Sequence, residues 1–166
     1  DWGDTQGDRE AVTILKQMGA VIEIGEREIL VKGGTLRGGT FDLNAMPDAL
    51  PALSVAACFA EGETRLVNVP QARLKETDRI AVMRAELGKM GADIRELPDG
   101  LVIRPSALRG GAVIGHHDHR VVMALAVAGL AAGGETVIET AEAVSVTFPD
   151  FRTLMLSIGA DITETE

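Results

Sequence analysis

The sequence predicts an α/β fold of repeated units wrapped around buried helices, with an incomplete third repeat. Three observations carry this: a 72-residue repeat, a helical apolar stripe followed by short strand signals, and a second Ala-rich helix in each unit.

The repeat is direct. Leu15-Lys16-Gln17-Met18-Gly19-Ala20 is echoed by Leu87-Gly88-Lys89-Met90-Gly91-Ala92, an offset of 72. The same offset carries Leu36-Arg37-Gly38-Gly39 onto Leu108-Arg109-Gly110-Gly111, and Gly62-Glu63-Thr64 onto Gly134-Glu135-Thr136. Repeated matches at one offset mark duplicated structure. Leu156-Ser157-Ile158-Gly159-Ala160-Asp161-Ile162 repeats a helix end and a strand start. Residues 1–166 therefore read as one partial domain, with units at about 9–69 and 79–141 and the start of a further unit at 149–166.

Within a unit, Ile80, Met83, Leu87 and Met90 recur at helical spacing, with Gly91 just past the helix end and Thr77 as the expected N-cap. Strands follow at 92–96, 101–104 and 111–114, separated by Pro98-Asp99-Gly100 and Gly110-Gly111. A second helix is predicted near 119–131, with its counterpart near 47–60 opening on Pro47. Both are apolar on most sides, so both are expected to be buried. Strands near 64–68 and 135–139 close the units. No G-x-G-x-x-G joins a strand to a helix, which argues against a Rossmann dinucleotide site.

A formal charge of -9 repels nucleic acid and anionic membranes at long range, so neither is an expected partner and any anion site must rest on locally gathered cations. The single cysteine, Cys58, permits no intrachain disulfide and fits a reducing compartment; among Ala56, Ala57 and Phe59 it reads as an inert core thiol. The apolar run Val121–Ala132 is too short to span a bilayer, and the acidic N-terminus lacks the charged start of a signal peptide. The expectation is a soluble, cytoplasmic protein. A chain that starts at Asp1 rather than Met is expected to be a piece of something longer.

Charged residues gather at helix starts. Lys75-Glu76-Thr77-Asp78-Arg79 precedes an amphipathic helix, and read alone is a solvated helix entrance. The repeat changes that reading: Asp48 and Arg120 stand 72 residues apart, each at the start of an equivalent helix. If equivalent helix starts face the same end, Asp48, Glu76, Arg79 and Arg120 converge there, partly exposed. Helix N-termini favour anions. Two arginines and a lysine suit a carboxylate or phosphate, and a neighbouring carboxylate can move protons. His116, His117, Asp118 and His119 invite a metal reading, but these positions around a helix start do not share one face. A hydrogen-bonded support of Arg120 is preferred, and no metal is assigned.

At Asn44-Ala45-Met46-Pro47-Asp48, Leu74-Lys75-Glu76-Thr77-Asp78-Arg79-Ile80, Asp118-His119-Arg120 and Thr147-Phe148-Pro149-Asp150, the sequence resembles the C-terminal portion of the 5-enolpyruvylshikimate-3-phosphate synthase family. The resemblance implies βαβαββ units of the enolpyruvyl transferase type, an inverse α/β barrel, with substrates bound between two such domains. It implies transfer of the enolpyruvyl group of phosphoenolpyruvate to the 5-hydroxyl of shikimate 3-phosphate in aromatic amino-acid biosynthesis, without metal or organic cofactor. Asp48 and Glu76 are then the catalytic carboxylates, Arg79 and Arg120 bind phosphoenolpyruvate, and Asp48, Gln71 and Lys75 bind shikimate 3-phosphate. Gln71 stands where many members have Asn. Val146 stands where many have a Lys that touches phosphoenolpyruvate, which bears on affinity for that substrate and for glyphosate. The missing N-terminal part of the same enzyme is the expected partner. The segment alone is expected to be inactive and to self-associate through uncovered edges and faces. Two alternatives stand beside this: an enzyme like the UDP-N-acetylglucosamine enolpyruvyl transferases, and a non-catalytic anion-binding or structural module.

Overall fold

The computed structural model describes residues 9–26 and 28–165. The acidic chain start, on which the reading against a signal peptide rests, lies outside them.

The first unit opens with α1 (Glu10–Gln17), which buries Ile14 and ends where Gly19 turns with φ +101°. Glycine takes this left-handed conformation without a Cβ clash. A hairpin of β1 (Val21–Ile24) and β2 (Ile29–Lys32) follows, then β3 (Thr40–Asp42). A 3₁₀ turn at Pro47–Ala49 leads into α2 (Leu50–Cys58), and β4 (Thr64–Val67) and a 3₁₀ turn at Pro70–Leu74 close the unit. The second unit repeats this order: α3 (Arg79–Lys89), the hairpin β5 (Asp93–Leu97) and β6 (Gly100–Arg104), β7 (Ala112–Ile114), α4 (His119–Ala131), β8 (Val137–Glu139) and a 3₁₀ turn at Ala141–Val146. The last element is α5 (Phe151–Ser157).

The duplication extends to single hydrogen bonds. Arg37 N donates to Met18 O at 2.7 Å, and Arg109 N to Met90 O at 2.9 Å. The β3–β4 pair aligns Thr40 with Arg65, and the β7–β8 pair aligns Ala112 with Val137, both parallel. The units are stitched together in one sheet of order β3-β4-β6-β5, in which β4 of the first unit pairs antiparallel with β6 of the second. The described strands form this sheet and two two-stranded ones, and no closed barrel is present among them. The edges of β2 and β8 that would correspond to this inter-unit pairing carry no strand among the described residues, and Ile29, Leu30 and Val31 of β2 are exposed.

The core lies between the helices and the central sheet, where Leu50 and Leu53 of α2 meet Ile80, Met83 and Leu87 of α3 and Leu125 of α4. The reading of both second helices as buried holds for α2 and only partly for α4: seven of the nine α2 residues are buried, whereas Val127 and Leu130 of α4 are exposed. Apolarity marks a face as able to be covered; the cover itself is not among the described elements. The expected N-cap also moves by one residue. Because α3 starts at Arg79, it is Asp78, not Thr77, whose carboxylate accepts from Ala81 N at 3.0 Å. Cys58 is buried, and burial pushes its thiol up to about 12, in keeping with an inert role. Among the described residues no helix is long and apolar enough to cross a membrane.

Gly38 and Gly110 are equivalent positions where the chain passes close to the next turn, and a Cβ on either would overlap the backbone of Glu63 or Glu135. Gly133 has open space around it. Gly110→Ala and Gly38→Ala should each lose about 1–3 kcal/mol in chemical unfolding. Gly133→Ala should stay within about 0.5 kcal/mol.

Candidate active site

Three helix starts meet at one end of the fold, each carrying residues singled out in the sequence. Asp48 lies in the 3₁₀ turn before α2, Arg79 opens α3, and Arg120 lies in the first turn of α4. Cations at helix N-termini run against the macrodipole, and a capping aspartate offsets each. Asp78 caps α3, and Asp118 caps α4 by accepting from Arg120 N at 2.9 Å and Val121 N at 3.4 Å.

Asp118 also holds the centre of the site. Its carboxylate takes Arg79 Nε at 2.7 Å and Nη2 at 3.2 Å, a two-point contact with Arg79 at 1% and Asp118 at 0% exposure. The other faces of the guanidinium reach Asp48 Oδ1 from Nη1 at 2.7 Å and Glu76 Oε2 from Nη2 at 2.6 Å. Burial opposes the charge on Arg79, but Asp118, Glu76 and Asp48 outweigh it and hold the group more firmly protonated than usual. Asp48 in turn meets Lys75 Nζ at 3.0 Å and Arg120 Nη2 at 3.3 Å. Burial alone would push the Asp48 carboxyl up; the hydrogen bond from Lys75 and the charges of Arg120, Arg79 and Lys75 prevail and hold it below the ordinary aspartate value.

Asp48, Glu76, Arg79, Arg120 and Lys75 thus converge as expected, with one correction. Arg79 was expected to be partly exposed, and it is buried because three carboxylates surround it. Glu76 is the most open member, its side chain 46% exposed. Gln71 donates from Nε2 to Asn44 O at 2.8 Å, tying the 3₁₀ turn Pro70–Leu74 to the loop before Asp48. Val146 is 81% exposed at the end of its 3₁₀ turn. Of the cluster expected to support Arg120, Asp118 does so by accepting from Arg120 N at 2.9 Å, whereas His116 Nε2 lies 2.9 Å from Glu86 Oε1 and His117 Nδ1 lies 3.5 Å from Glu142. Their rings serve different carboxylates, and among the described residues no group of three or more His, Cys, Asp or Glu is placed to hold a metal ion.

Sequence reasoning placed Asp118 in the hydrogen-bonded support of Arg120 but not opposite Arg79, and it missed Arg73. The signal for Asp118 was its place directly before a helix whose first turn carries a cation, Arg120. Arg73 binds Pro98 O at 2.9 Å, Leu97 O at 2.7 Å and Asp78 Oδ2 at 2.8 Å, fixing the segment that carries Lys75 and Glu76 against the β5–β6 turn. Nothing in the sequence marks that long-range anchor.

Two clefts lie nearby. One of about 270 Å³ between α1, α2 and α4 is walled by apolar side chains such as Leu15, Val55 and Phe59, and offers nothing to an anion. The other, about 230 Å³, runs between α2 and α4 with Asp48 and Arg120 at one end and Val55, Met123 and Val127 along the rest. Charged ligands fit only its polar end.

Residues 2–155 match the sequence pattern of the family described as EPSP synthase (3-phosphoshikimate 1-carboxyvinyltransferase). The chain is 62% identical, over 98% of its length, to the 3-phosphoshikimate 1-carboxyvinyltransferase of Ruminiclostridium cellulolyticum and covers 38% of that protein. It is 59% identical over its whole length to the enzyme of the same name from Acetivibrio thermocellus, of which it covers 39%. The chain therefore spans well under half the length of these relatives. The EPSP synthase structure from Acinetobacter baumannii superposes with a TM-score of 0.85 at 36% identity, over 93% of this chain and 40% of that one. The enolpyruvyl transferase NikO from Streptomyces tendae, 21% identical, gives a TM-score of 0.77 over 95% of this chain and 36% of its own, which bears on the fold alone.

Removing Asp118 takes from the buried guanidinium its two-point partner and the one carboxylate buried with it, leaving the more open Asp48 and Glu76 to hold the charge. Asp118→Ala should cost about 3–5 kcal/mol in urea unfolding. Asp78→Ala, which removes a helix cap at a more open position, should cost about 1 kcal/mol. Equal losses for the two would overturn the central place given to Asp118.

Proposed function

Because this chain belongs to the EPSP synthase family, we propose that the complete protein containing it transfers the enolpyruvyl group of phosphoenolpyruvate to the 5-hydroxyl of shikimate 3-phosphate. The observation that carries the reading is the convergence of Asp48, Glu76, Arg79, Arg120 and Lys75 at one end of the fold. In the proposed reaction the 5-hydroxyl gives up its proton to a carboxylate of the site as its oxygen bonds to C2 of phosphoenolpyruvate, while C3 takes up a proton. The tetrahedral adduct then loses inorganic phosphate from C2 and a proton from C3, restoring the double bond.

Asp48, kept ionised by three cations, accepts the hydrogen bond of the 5-hydroxyl and aims its oxygen at C2. Glu76, the most open carboxylate, handles the proton at C3. Arg120 and the Nη edge of Arg79 bind the anionic groups of phosphoenolpyruvate, with an incoming anion displacing Glu76 from Nη2. Lys75 and Gln71 bind shikimate 3-phosphate in this proposal. Val146 supplies no cation, so the two arginines carry that work within this segment.

Three carboxylates (Asp48, Glu76, Asp118) face three cations (Lys75, Arg79, Arg120) here, so the cluster is close to neutral. Two multiply charged substrates need further positive charge, supplied by the remaining part of the enzyme, which also excludes water from the cleft. A cytoplasmic site of action accords with the lone buried thiol of Cys58. The isolated segment self-associates through exposed β2 and the open face of α4. Family membership disfavours a UDP-sugar acceptor.

The test is phosphate release with both substrates. The complete protein should turn over, and Asp48→Ala and Glu76→Gln should each lower kcat about 10²–10⁴-fold. Arg120→Ala should lower kcat/KM about 10²–10³-fold. The 166-residue segment should release no phosphate and scatter light as an oligomer. Turnover by the segment would overturn the shared-cleft account, and full activity in either carboxylate variant would overturn its role.

A further inference from the structure

Glu86 is a charged residue inside the buried arc of α3, three positions after Met83 and four before Met90, and it is 2% exposed. A carboxylate in such a place is disfavoured unless its oxygens are satisfied. Oε2 accepts from Ile114 N at 3.0 Å, Oε1 lies 2.9 Å from His116 Nε2, and Lys89 Nζ reaches both oxygens at 2.9 and 2.7 Å. These bonds tie α3 to the end of β7 and to the loop entering α4.

That loop is unusual. His116 and His117 both have left-handed backbones, φ 53° and 54°, a conformation L side chains disfavour. Asp118 follows immediately, capping α4 and holding Arg79. The turn is further tied by Asp118 N to Gly115 O at 3.0 Å and His117 N to Thr140 Oγ1 at 3.2 Å. Gly115 leaves no room for adjustment, since a Cβ there would overlap Val122.

The first unit provides an internal control. Seventy-two residues earlier, Ile14 stands at the position of Glu86 and is buried; Asn44 and Ala45 replace the two histidines and are not left-handed; Met46 replaces Asp118. The fold builds the same helix, strand and turn with an aliphatic side chain there. The buried carboxylate therefore occurs in the unit whose turn must deliver Asp118 to Arg79.

Resting on the function proposed above, we propose that Glu86 is a positioning residue: by bonding Ile114 and His116 together it holds the left-handed turn that aims Asp118 at Arg79 and sets Arg120 at the mouth of the site. It touches no reacting atom and acts through the arginines that receive the phosphoenolpyruvate anion.

The variant that tests this is Glu86→Ile in the complete protein, which copies the residue of the first unit, with Glu86→Gln as the conservative partner. Two readouts are needed: hydrogen exchange of the 114–121 amides without substrate, and kcat and KM for both substrates by phosphate release. Glu86→Ile should speed exchange in 116–121 about tenfold. It should also lower kcat/KM for phosphoenolpyruvate about 10- to 100-fold, chiefly through KM. Glu86→Gln keeps an acceptor for Ile114 N and a partner for His116, and should stay within about threefold of the parent, less than one kcal/mol. If Glu86→Ile does not fold, His116→Val, which opposes the left-handed turn from its other end, should give the same pair of changes. Unchanged exchange in 116–121 would overturn the proposal, as would a lowered melting temperature with the kinetic constants retained. A parent protein that turns over neither substrate would refute the proposed reaction, while the exchange measurement would still decide the brace.

Discussion

The buried contact between Arg79 and Asp118 is the constraint from which the charged end of this fold takes its shape. A guanidinium at 1% exposure demands compensation in place, and Asp118 supplies it through two hydrogen bonds from a residue 39 positions away. Such a pair adds little net stability compared with packed aliphatic side chains, but it tolerates few arrangements. It fixes the start of α3 against the start of α4, and what remains of the guanidinium then determines where Asp48 and Glu76 sit. The positions of three carboxylates reduce to the geometry of one planar group.

Much of the architecture was legible because duplication prints itself twice. An offset found in Leu15–Ala20 and Leu87–Ala92 reappears as matched strand registers and as the same backbone bond at Arg37 and Arg109. Periodicity located α3, and glycine marked its end at Gly91. The local misses have local causes. Thr77 and Asp78 are both good capping residues, and the choice depends on where the helix begins, which Arg73 influences by holding the Asp78 carboxylate at 2.8 Å. The exposed flank of α4 could not be foreseen from its composition, because an apolar side chain does not encode what lies opposite it.

For the site, spacing delivered the right residues but not their connections. Asp48, Glu76, Arg79 and Arg120 were legible as a group because the repeat places helix starts together. That Arg79 would be enclosed was not, since enclosure arises from Asp118 arriving across the fold. Past Arg79, Glu86 was the one charge among the buried residues of α3, and that break was the available signal.

Asp48 and Arg120 occupy the same position in successive units, and they touch. Points related by a rotation come together only near its axis, so the pseudo-symmetry axis of the two units passes close to this pair. Were the two copies identical, each residue there would face its own twin, and a charge would meet a like charge. Divergence of the two copies relieves that repulsion and leaves an acid and a base side by side. A duplicated gene thereby acquires a polar pair at its symmetry axis by changing one copy, without having to invent a new backbone to bring the two groups together.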